Sequence, residues 1–523
     1  MGIYLNPSNV DFYNAVNHSQ IYVDKTELIK YTNRFLFGEQ KFICVSRPRR
    51  FGKSMAANML TAYYSRGCDS REMFSRLKIA NSESFEKHLN KYNVIRINMM
   101  DFFSEYDNTT EMLTNLQKEI MFEIIEEFPD VRYYDKTKLM RSLKDVFEKY
   151  YVPFVFIIDE WDCVLRDKNN DVKAQEIYLK FLSALFKNQS YPALVYMTGI
   201  LPIKKYGGHS AINMFTEIAM TNTRELSEFT GFTEDEVKAL CNEYGMPFDE
   251  TKRWYDGYNL KGVSIYNPRS VVMSMTGRDY DNYWTSTETY EALKIYIEMN
   301  FDGLKDTIIE LLAGEKIVID TTTFTNDMVT FVTKDDVLTL LIHLGYLTYN
   351  FYTKEVSIPN YEISEQFAST IKVMGWSEVA DSLRSSDELL KATLNCNEEK
   401  IAELIDKAHS DNTSILKYND ENSLSCVISL AYYSARKTYT IDRELPAGKG
   451  YADLIFRPRK NSSNPAMIVE LKYDKSAEGA LEQIKKKQYA DCLKDYSGEI
   501  LLVGINYDKD DKCHTCKIEK IIK

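Results

Sequence analysis

The chain has 523 residues, 44% of them hydrophobic and 27% charged, the make-up of a globular protein long enough for about three domains. Its formal charge of −12 excludes a protein that coats nucleic acid indiscriminately, because phosphate binding rests on Lys and Arg neutralising the backbone. The N-terminus carries no basic stretch followed by an apolar one and no segment approaches ~18 uninterrupted apolar residues, so a cytoplasmic protein without membrane contact is expected. Nine cysteines, an odd number scattered along the chain, suit a reducing compartment rather than a disulfide framework. Charge is uneven: from Ala431 onward there are 18 Lys and Arg against 14 Asp and Glu, which leaves room for a localised polyanion contact in that part.

In chain order, KFICVS (41–46) reads as a strand, and SMAANMLTAYYS after it has helical composition and spacing. Two further β-rich runs, NVIRINMMDFF (93–103) and YVPFVFIIDE (151–160), flank a helical stretch holding NLQKEIMFEIIEEF. ALVYMTGI (193–200) follows the amphipathic QEIYLKFLSALFKN. Apolar strands alternating with helices imply an α/β fold with a mainly parallel sheet covered on both faces. From about 224 to 300 the chain is aromatic and irregular, and 335–363 reads as a helix closed by Gly345 and then two short strands, a helix-plus-wing lid. The charged segment 390–412 reads as a connecting helix.

The stretch SRPRRFGKS, 46–54, ends in the Gly52, Lys53 and Ser54 of a phosphate loop, with Arg47 where the first glycine normally stands. In such a loop a helix N-terminus and backbone N–H groups face the polyphosphate, the lysine reaches the β and γ phosphates and the hydroxyl ligates Mg2+. Alone, the tripeptide also fits a chance surface turn. FVFIIDE (154–160) adds a buried strand delivering Asp159 to the metal and Glu160 to the attacking water, against the blander reading of a core strand whose acids meet solvent. Thr198, at the end of the next strand, could sense the γ phosphate or be only structural.

YVDKTELI (22–29), RPRRFGKS (47–54), IIDEWD (157–162), TGILPI (198–203) and the WYDGY and YNPRS pieces resemble the bacterial AAA-ATPase-like family, whose members carry a C-terminal nuclease-like domain of the PD-(D/E)XK superfamily. The resemblance spans nearly the whole chain. It implies that Arg47, Arg49 and Arg50 belong to the nucleotide site in place of the usual first part of the loop; Trp161 stands where the family often has Tyr.

The second constellation lies near the C-terminus. Asp453 opens the run DLIF, and Glu470 and Lys472 close the run AMIVELK, the spacing D-x16-E-x-K of a PD-(D/E)XK nuclease. Strand alternation puts 470 and 472 on one face, and an antiparallel partner carrying Asp453 would bring two carboxylates and an ammonium together. Such carboxylates bind Mg2+ for in-line displacement at a phosphodiester while the lysine orients or deprotonates water. On pattern alone, a hairpin with an exposed charged strand competes. Gln483 and Lys487 stand four apart on the following helix, with Tyr489 beyond, and Glu421 matches the acidic residue on the first helix of the resembled fold, a further metal ligand. The lysines at 485–487 also fit a solvated helix face. The CHTC at 513–516 is half a zinc site with no second pair nearby, so an exposed strand end is preferred; His209 is isolated.

The expected architecture is therefore a P-loop ATPase core (1–225), a helical and winged-helix-like lid (226–388), a helical connector (389–412) and a restriction-endonuclease-like α/β domain (413–523). The expected cofactors are ATP and Mg2+, and the expected partner is nucleic acid, DNA rather than RNA, with homo-oligomers in which an arginine such as Arg224 or Arg253 reaches a neighbour's γ phosphate. The resemblance implies action against foreign DNA or in mobile elements. Two alternatives stand: a signalling ATPase whose nuclease-like domain binds without cutting, and a nuclease whose nucleotide is held without turnover.

Overall fold

Four apolar runs become the neighbouring strands of one parallel sheet. A computed structural model of the chain describes residues 2–203, 212–223, 225–284, 291–298, 301–326, 328–373, 377–412, 421–447, 450–459, 462–493 and 496–523. His209 and Arg224 lie outside the described residues. The chain divides into two compact units, one of Met1–Thr289 with Ile317–Ile363 and one of Tyr290–Lys316 with Ser364–Lys523. The lid range expected from sequence, 226–388, contributes residues to both.

In the first unit, β1 (Phe42–Ser46), β2 (Asn93–Asn98), β3 (Phe154–Asp159), β4 (Pro192–Gly199) and β5 (Thr216–Ile218) pair in the order β2-β3-β4-β1-β5, all parallel. Every residue of β3 and β4 is buried. That is why they read as unbroken apolar runs rather than as alternation. The register sets Val45 beside Thr198 and Ile158 beside Met197, so β1, β3 and β4 finish side by side. The run expected to continue as strand through MMDFF instead turns helical at Met99–Glu105, because the Asn98 side chain accepts from the Met100 N–H and caps a helix there.

Helix α1 (Lys53–Tyr64) starts directly after the loop that follows β1 and buries Ala57, Leu60, Tyr63 and Tyr64 in the core beneath the sheet. Helix α2 (Pro268–Gly277) begins in the YNPRS piece: Asn267 caps it by accepting from the Ser270 N–H at 3.3 Å, and Pro268 supplies the pre-set first turn. Helix α3 (Lys334–Leu344) ends at Gly345, whose φ of 92° requires glycine. The expected wing follows as β7 (Thr348–Asn350) and β8 (Glu355–Ser357), antiparallel, and the sheet gains a third strand, β6 (Ile317–Val318), from before the helix. At two residues, β6 is too short to carry a sequence pattern.

In the second unit, helix α4 (Glu421–Ala431) precedes a five-stranded sheet of β9 (Tyr439–Ala447), β10 (Gly450–Pro458), β11 (Ala466–Tyr473), β12 (Glu499–Asp508) and β13 (Cys513–Ile522). The strands pair in sequence order, β11–β12 parallel and the others antiparallel. Helix α5 (Ala477–Lys486) is the crossover between the two parallel strands and lies against β12 at Gly504, where an added Cβ would stand 2.3 Å from the Ala477 carbonyl. The CHTC segment opens β13, but the expectation of an exposed strand end is corrected: His514 and Cys516 are buried, because the preceding helix Glu398–Asn412 lies on that face and its Asp406 bonds His514 Nδ1 at 2.7 Å. Among the described residues no helix is long and apolar enough to cross a membrane.

The Gly504 contact predicts that Gly504→Ala lowers stability by about 1–3 kcal/mol through overpacking, read as a fall in the urea midpoint of wild type against variant.

Candidate functional site

The loop from Arg47 to Gly52 turns left-handed at two places, Arg50 (φ 68°) and Gly52 (φ 83°), and not at Arg47. A glycine at position 47 is therefore not needed for the turn; the conformational freedom is used at the last loop position, directly before α1. The Arg47 side chain has another use. It is wholly buried, donates to the carbonyls of Ser46 (2.9 Å) and Ile218 (3.2 Å) and to Thr230 Oγ1 (3.0 Å), and keeps Nη2 buried without a hydrogen-bond partner. Burial pushes its guanidinium down to about 10. The resemblance implied a nucleotide contact for Arg47. The structure makes it a strut that ties the start of the loop to β5 and Thr230.

Arg49, Arg50, Gly52, Lys53 and Ser54 line a cavity of about 530 Å3, within the ordinary range for a small-molecule site. Glu160 joins them on the wall, with apolar groups including Phe12, Ile21, Tyr22, Phe229, Phe232 and Val272. The N-terminus of α1 opens here with Lys53 in its first turn, a geometry suited to an anion. Lys53 Nζ folds back onto the Pro48 carbonyl at 3.0 Å. Burial lowers its basicity, opposed by the charges of Glu160, Asp159 and Asp162. Asp159 and Thr198 are joined directly by a hydrogen bond from the threonine hydroxyl to Asp159 Oδ1, made possible because β3 and β4 are neighbours. Asp159 itself does not line the cavity, whereas Glu160 does.

Glu160 sits in a left-handed conformation (φ 52°) and pairs with Arg166 at 2.5 Å. Burial raises its pKa, and Lys53 and Arg166 pull the other way. Asp162, fully buried, accepts from the backbone N–H groups of Ile200 (2.9 Å) and Leu201 (2.7 Å), so the IIDEWD and TGILPI pieces are held to one another. Sequence reasoning assigned no role to Arg269, which lines the cavity from the second position of α2. Its signal was the Asn-Pro helix start immediately before it. Arg253, a candidate to reach a neighbouring subunit, pairs within the chain with Glu250 and lies over the Tyr361 ring at 3.8 Å.

The second cluster forms where β10 and β11 pair antiparallel, Leu454 opposite Val469. Asp453 Oδ2 accepts from the Leu471 N–H at 2.6 Å. Lys472 Nζ donates to Glu470 Oε1 at 2.8 Å and to the Leu471 carbonyl at 3.0 Å. Gln483, from α5, donates to the same Glu470 oxygen and to the Tyr489 hydroxyl, the latter at 3.2 Å. Lys487, just past α5, lies beside Gly450. Glu421 begins α4, and its side chain lies outside the described residues.

Glu470 is 1% exposed, and its second oxygen, Oε2, is buried with no hydrogen-bond partner. An orphaned carboxylate oxygen beside a second carboxylate fits a divalent cation, which would supply the missing partner. Among the described residues no group of three or more His, Cys, Asp and Glu side chains gathers for a metal. Burial first, and the Asp453 charge second, push Glu470 up to about 7, with Lys472 opposing.

Residues 9–207 match the family model of a predicted AAA-ATPase, and residues 419–517 match that of the PD-(D/E)XK nuclease superfamily. A relative described as an uncharacterized protein in the vnfD 5′ region of Azotobacter chroococcum mcd 1 is 21% identical, with 94% of this chain and 93% of that one covered. Among solved structures, the chain is similar to the ORC2 protein of Aeropyrum pernix in ADPNP–ADP complexes (10% identity, 68% of this chain and 97% of that one, TM-score 0.28). It is also similar to AMPPCP-bound DnaA from Aquifex aeolicus (12% identity, 80% and 98% covered, TM-score 0.25).

Two predictions follow from the geometry. Arg47→Ala leaves two carbonyls and a hydroxyl without their donor and is expected to lower stability by about 1–3 kcal/mol in chemical denaturation. Glu470 has a folded-state pKa above its ordinary 4.5, so its contribution to stability is fully present below that value and is lost as pH rises through about 7. In EDTA, the melting temperature of Glu470→Gln should therefore gain on wild type between about pH 5 and about pH 8; a pH-independent difference would contradict the burial argument.

Proposed function

We propose that this chain, which joins an AAA-ATPase-like segment to a PD-(D/E)XK nuclease superfamily segment, binds and hydrolyses ATP at the Arg47–Gly52 loop and cleaves nucleic acid at the Asp453–Glu470–Lys472 cluster. The observation that carries the reading is that cluster. Residues separated by sixteen positions fold to one point, and the only buried oxygen of Glu470 without a partner lies there. Mg2+ would be held by Asp453 and Glu470, with Glu421 as a further ligand, and would supply charge neutralisation at the phosphodiester. Lys472 holds or moves a proton on water, and Gln483 orients Glu470.

At the other site, Lys53 and the start of α1 receive the phosphates, Arg49 and Arg50 add positive charge, and Ser54 and Asp159 would hold Mg2+. Glu160 would polarise water once freed from Arg166, and Thr198 orients Asp159. The apolar wall of the cavity offers surface for a base. In this reading residues 1–225 form the ATPase core, 226–388 the lid, 389–412 the connector and 413–523 the nuclease. The substrate is DNA rather than RNA, the site of action the bacterial cytoplasm and the working form a homo-oligomer. A role against foreign DNA or in mobile elements rests on the family resemblance.

The test is a cleavage and ATPase panel with Mg2+ on single- and double-stranded DNA and RNA. Asp453→Ala is expected to lower cleavage by at least about 100-fold with ATPase activity kept, and Lys53→Ala to abolish ATP turnover. Nucleic acid bound but left uncut by wild type assigns the nuclease-like segment to binding without cutting, and cleavage that persists in Asp453→Ala overturns the assignment of this cluster as the cutting site.

A further inference from the structure

Glu362 is buried at 1% exposure and plays no part in the chemistry above, yet its hydrogen bonds reach the segment that holds Arg50 and the helix that carries Arg269, two residues that line the cavity. Its Oε1 accepts from the backbone N–H groups of Tyr283 and Trp284, both at 2.8 Å, and the Ser270 hydroxyl approaches both of its oxygens at 2.9 Å. The carbonyls of the same two residues, Tyr283 and Trp284, accept from Arg50 Nη1 at 3.1 and 3.2 Å. One short segment is thus bonded on its N–H side to Glu362 and on its carbonyl side to the phosphate loop. Ser270 is the residue after Arg269, so the carboxylate also touches the start of the helix that brings Arg269 to the cavity.

The surrounding packing adds to this clamp. An added Cβ at Gly345 would stand 2.8 Å from the Pro48 side chain and 3.3 Å from the Trp284 ring, so the end of α3 and Trp284 bear on the loop together. Pro48 is the residue whose carbonyl holds Lys53. The charged and titratable groups that face Glu362 are Arg50 from the loop, Tyr255, Tyr258 and Tyr283. Burial pushes Glu362 up to about 7, against the pull of its hydrogen bonds and of Arg50.

We propose that Glu362 is a positioning residue for nucleotide binding: through the Tyr283–Trp284 segment and Ser270 it sets where Arg50 and Arg269 stand at the cavity. A buried carboxylate is unfavourable unless its hydrogen bonds are made, and here the groups that make them are Ser270, on the helix that brings Arg269 to the cavity, and the Tyr283–Trp284 segment, which holds Arg50. Losing it frees both elements at once. The proposal rests on the nucleotide reading of the preceding subsection, and its test separates the two.

The experiment is calorimetric titration of the full chain with ATP and Mg2+, for wild type, Lys53→Ala, Glu362→Ala, Glu362→Gln, Arg50→Ala and the Glu362→Ala/Arg50→Ala double variant. Wild type should bind and Lys53→Ala should not. Glu362→Ala should bind about tenfold more weakly, and Glu362→Gln, which keeps the acceptor, should recover most of the affinity. Because part of the Glu362 effect runs through Arg50, the Glu362→Ala loss should be at least about twofold smaller in the Arg50→Ala background than in wild type, an energetic coupling that a general loss of packing would not produce. If wild type binds and Glu362→Ala matches it, or if the two losses simply multiply, this proposal is overturned and the nucleotide reading stands. If wild type fails to bind, the nucleotide reading falls and takes this one with it. Should Glu362→Ala not fold, Glu362→Asp keeps the charge and shortens the reach; about fivefold weaker binding supports the proposal and unchanged affinity overturns it.

Discussion

The parallel register of β1, β3 and β4 is the constraint on which the geometry of the first site depends. It brings the loop after β1, the acids at the end of β3 and Thr198 of β4 to one end of the sheet, although the three pieces lie some 40 to 150 residues apart in the chain. The direct bond between Thr198 and Asp159 and the grip of Asp162 on the Ile200 and Leu201 N–H groups are consequences of that register. Each uses a carboxylate that burial would otherwise penalise, and each accepts hydrogen bonds from the neighbouring strand or the turn after it.

The loop shows how the same turn is built without its usual first glycine. Left-handed backbone at Arg50 and Gly52 makes the bend, and the strand end is held by an arginine whose donors reach across to β5 and Thr230. A long side chain at position 47 thereby supplies a tether that glycine could not. The arrangement also explains why the three loop arginines divide: Arg47 points into the protein, while Arg49 and Arg50 line the cavity.

The C-terminal cluster uses burial in the opposite sense. Glu470 carries a lysine, a glutamine and a neighbouring carboxylate around it, yet one oxygen stays without a partner. Desolvation and the Asp453 charge favour its protonated form, and a divalent cation would reverse that preference by adding positive charge where the unpaired oxygen lies. Gln483 reaches this point because α5, the crossover between two parallel strands, is drawn close to β12 at Gly504.

Much of this was legible in the residues. The apolar runs ending at Ser46, Asp159 and Gly199 announced buried parallel strands, and the alternation of Glu470 and Lys472 announced their shared face, because both signals are local periodicities. The helix at Met99–Glu105, the burial of His514 and Cys516, the two-residue strand Ile317–Val318 and the parts taken by Arg47, Arg269 and Glu362 were not. Each depends on what another segment places opposite it: a capping side chain, a covering helix, a partner strand, or a carbonyl more than a hundred residues away. The sequence by itself determined which residue types could do chemistry and on which strands they sit, since backbone periodicity needs no distant partner. Only the tertiary structure decided which of them face a cavity and which brace it, since burial and hydrogen-bond partnership are set by long-range contacts that local pattern does not carry.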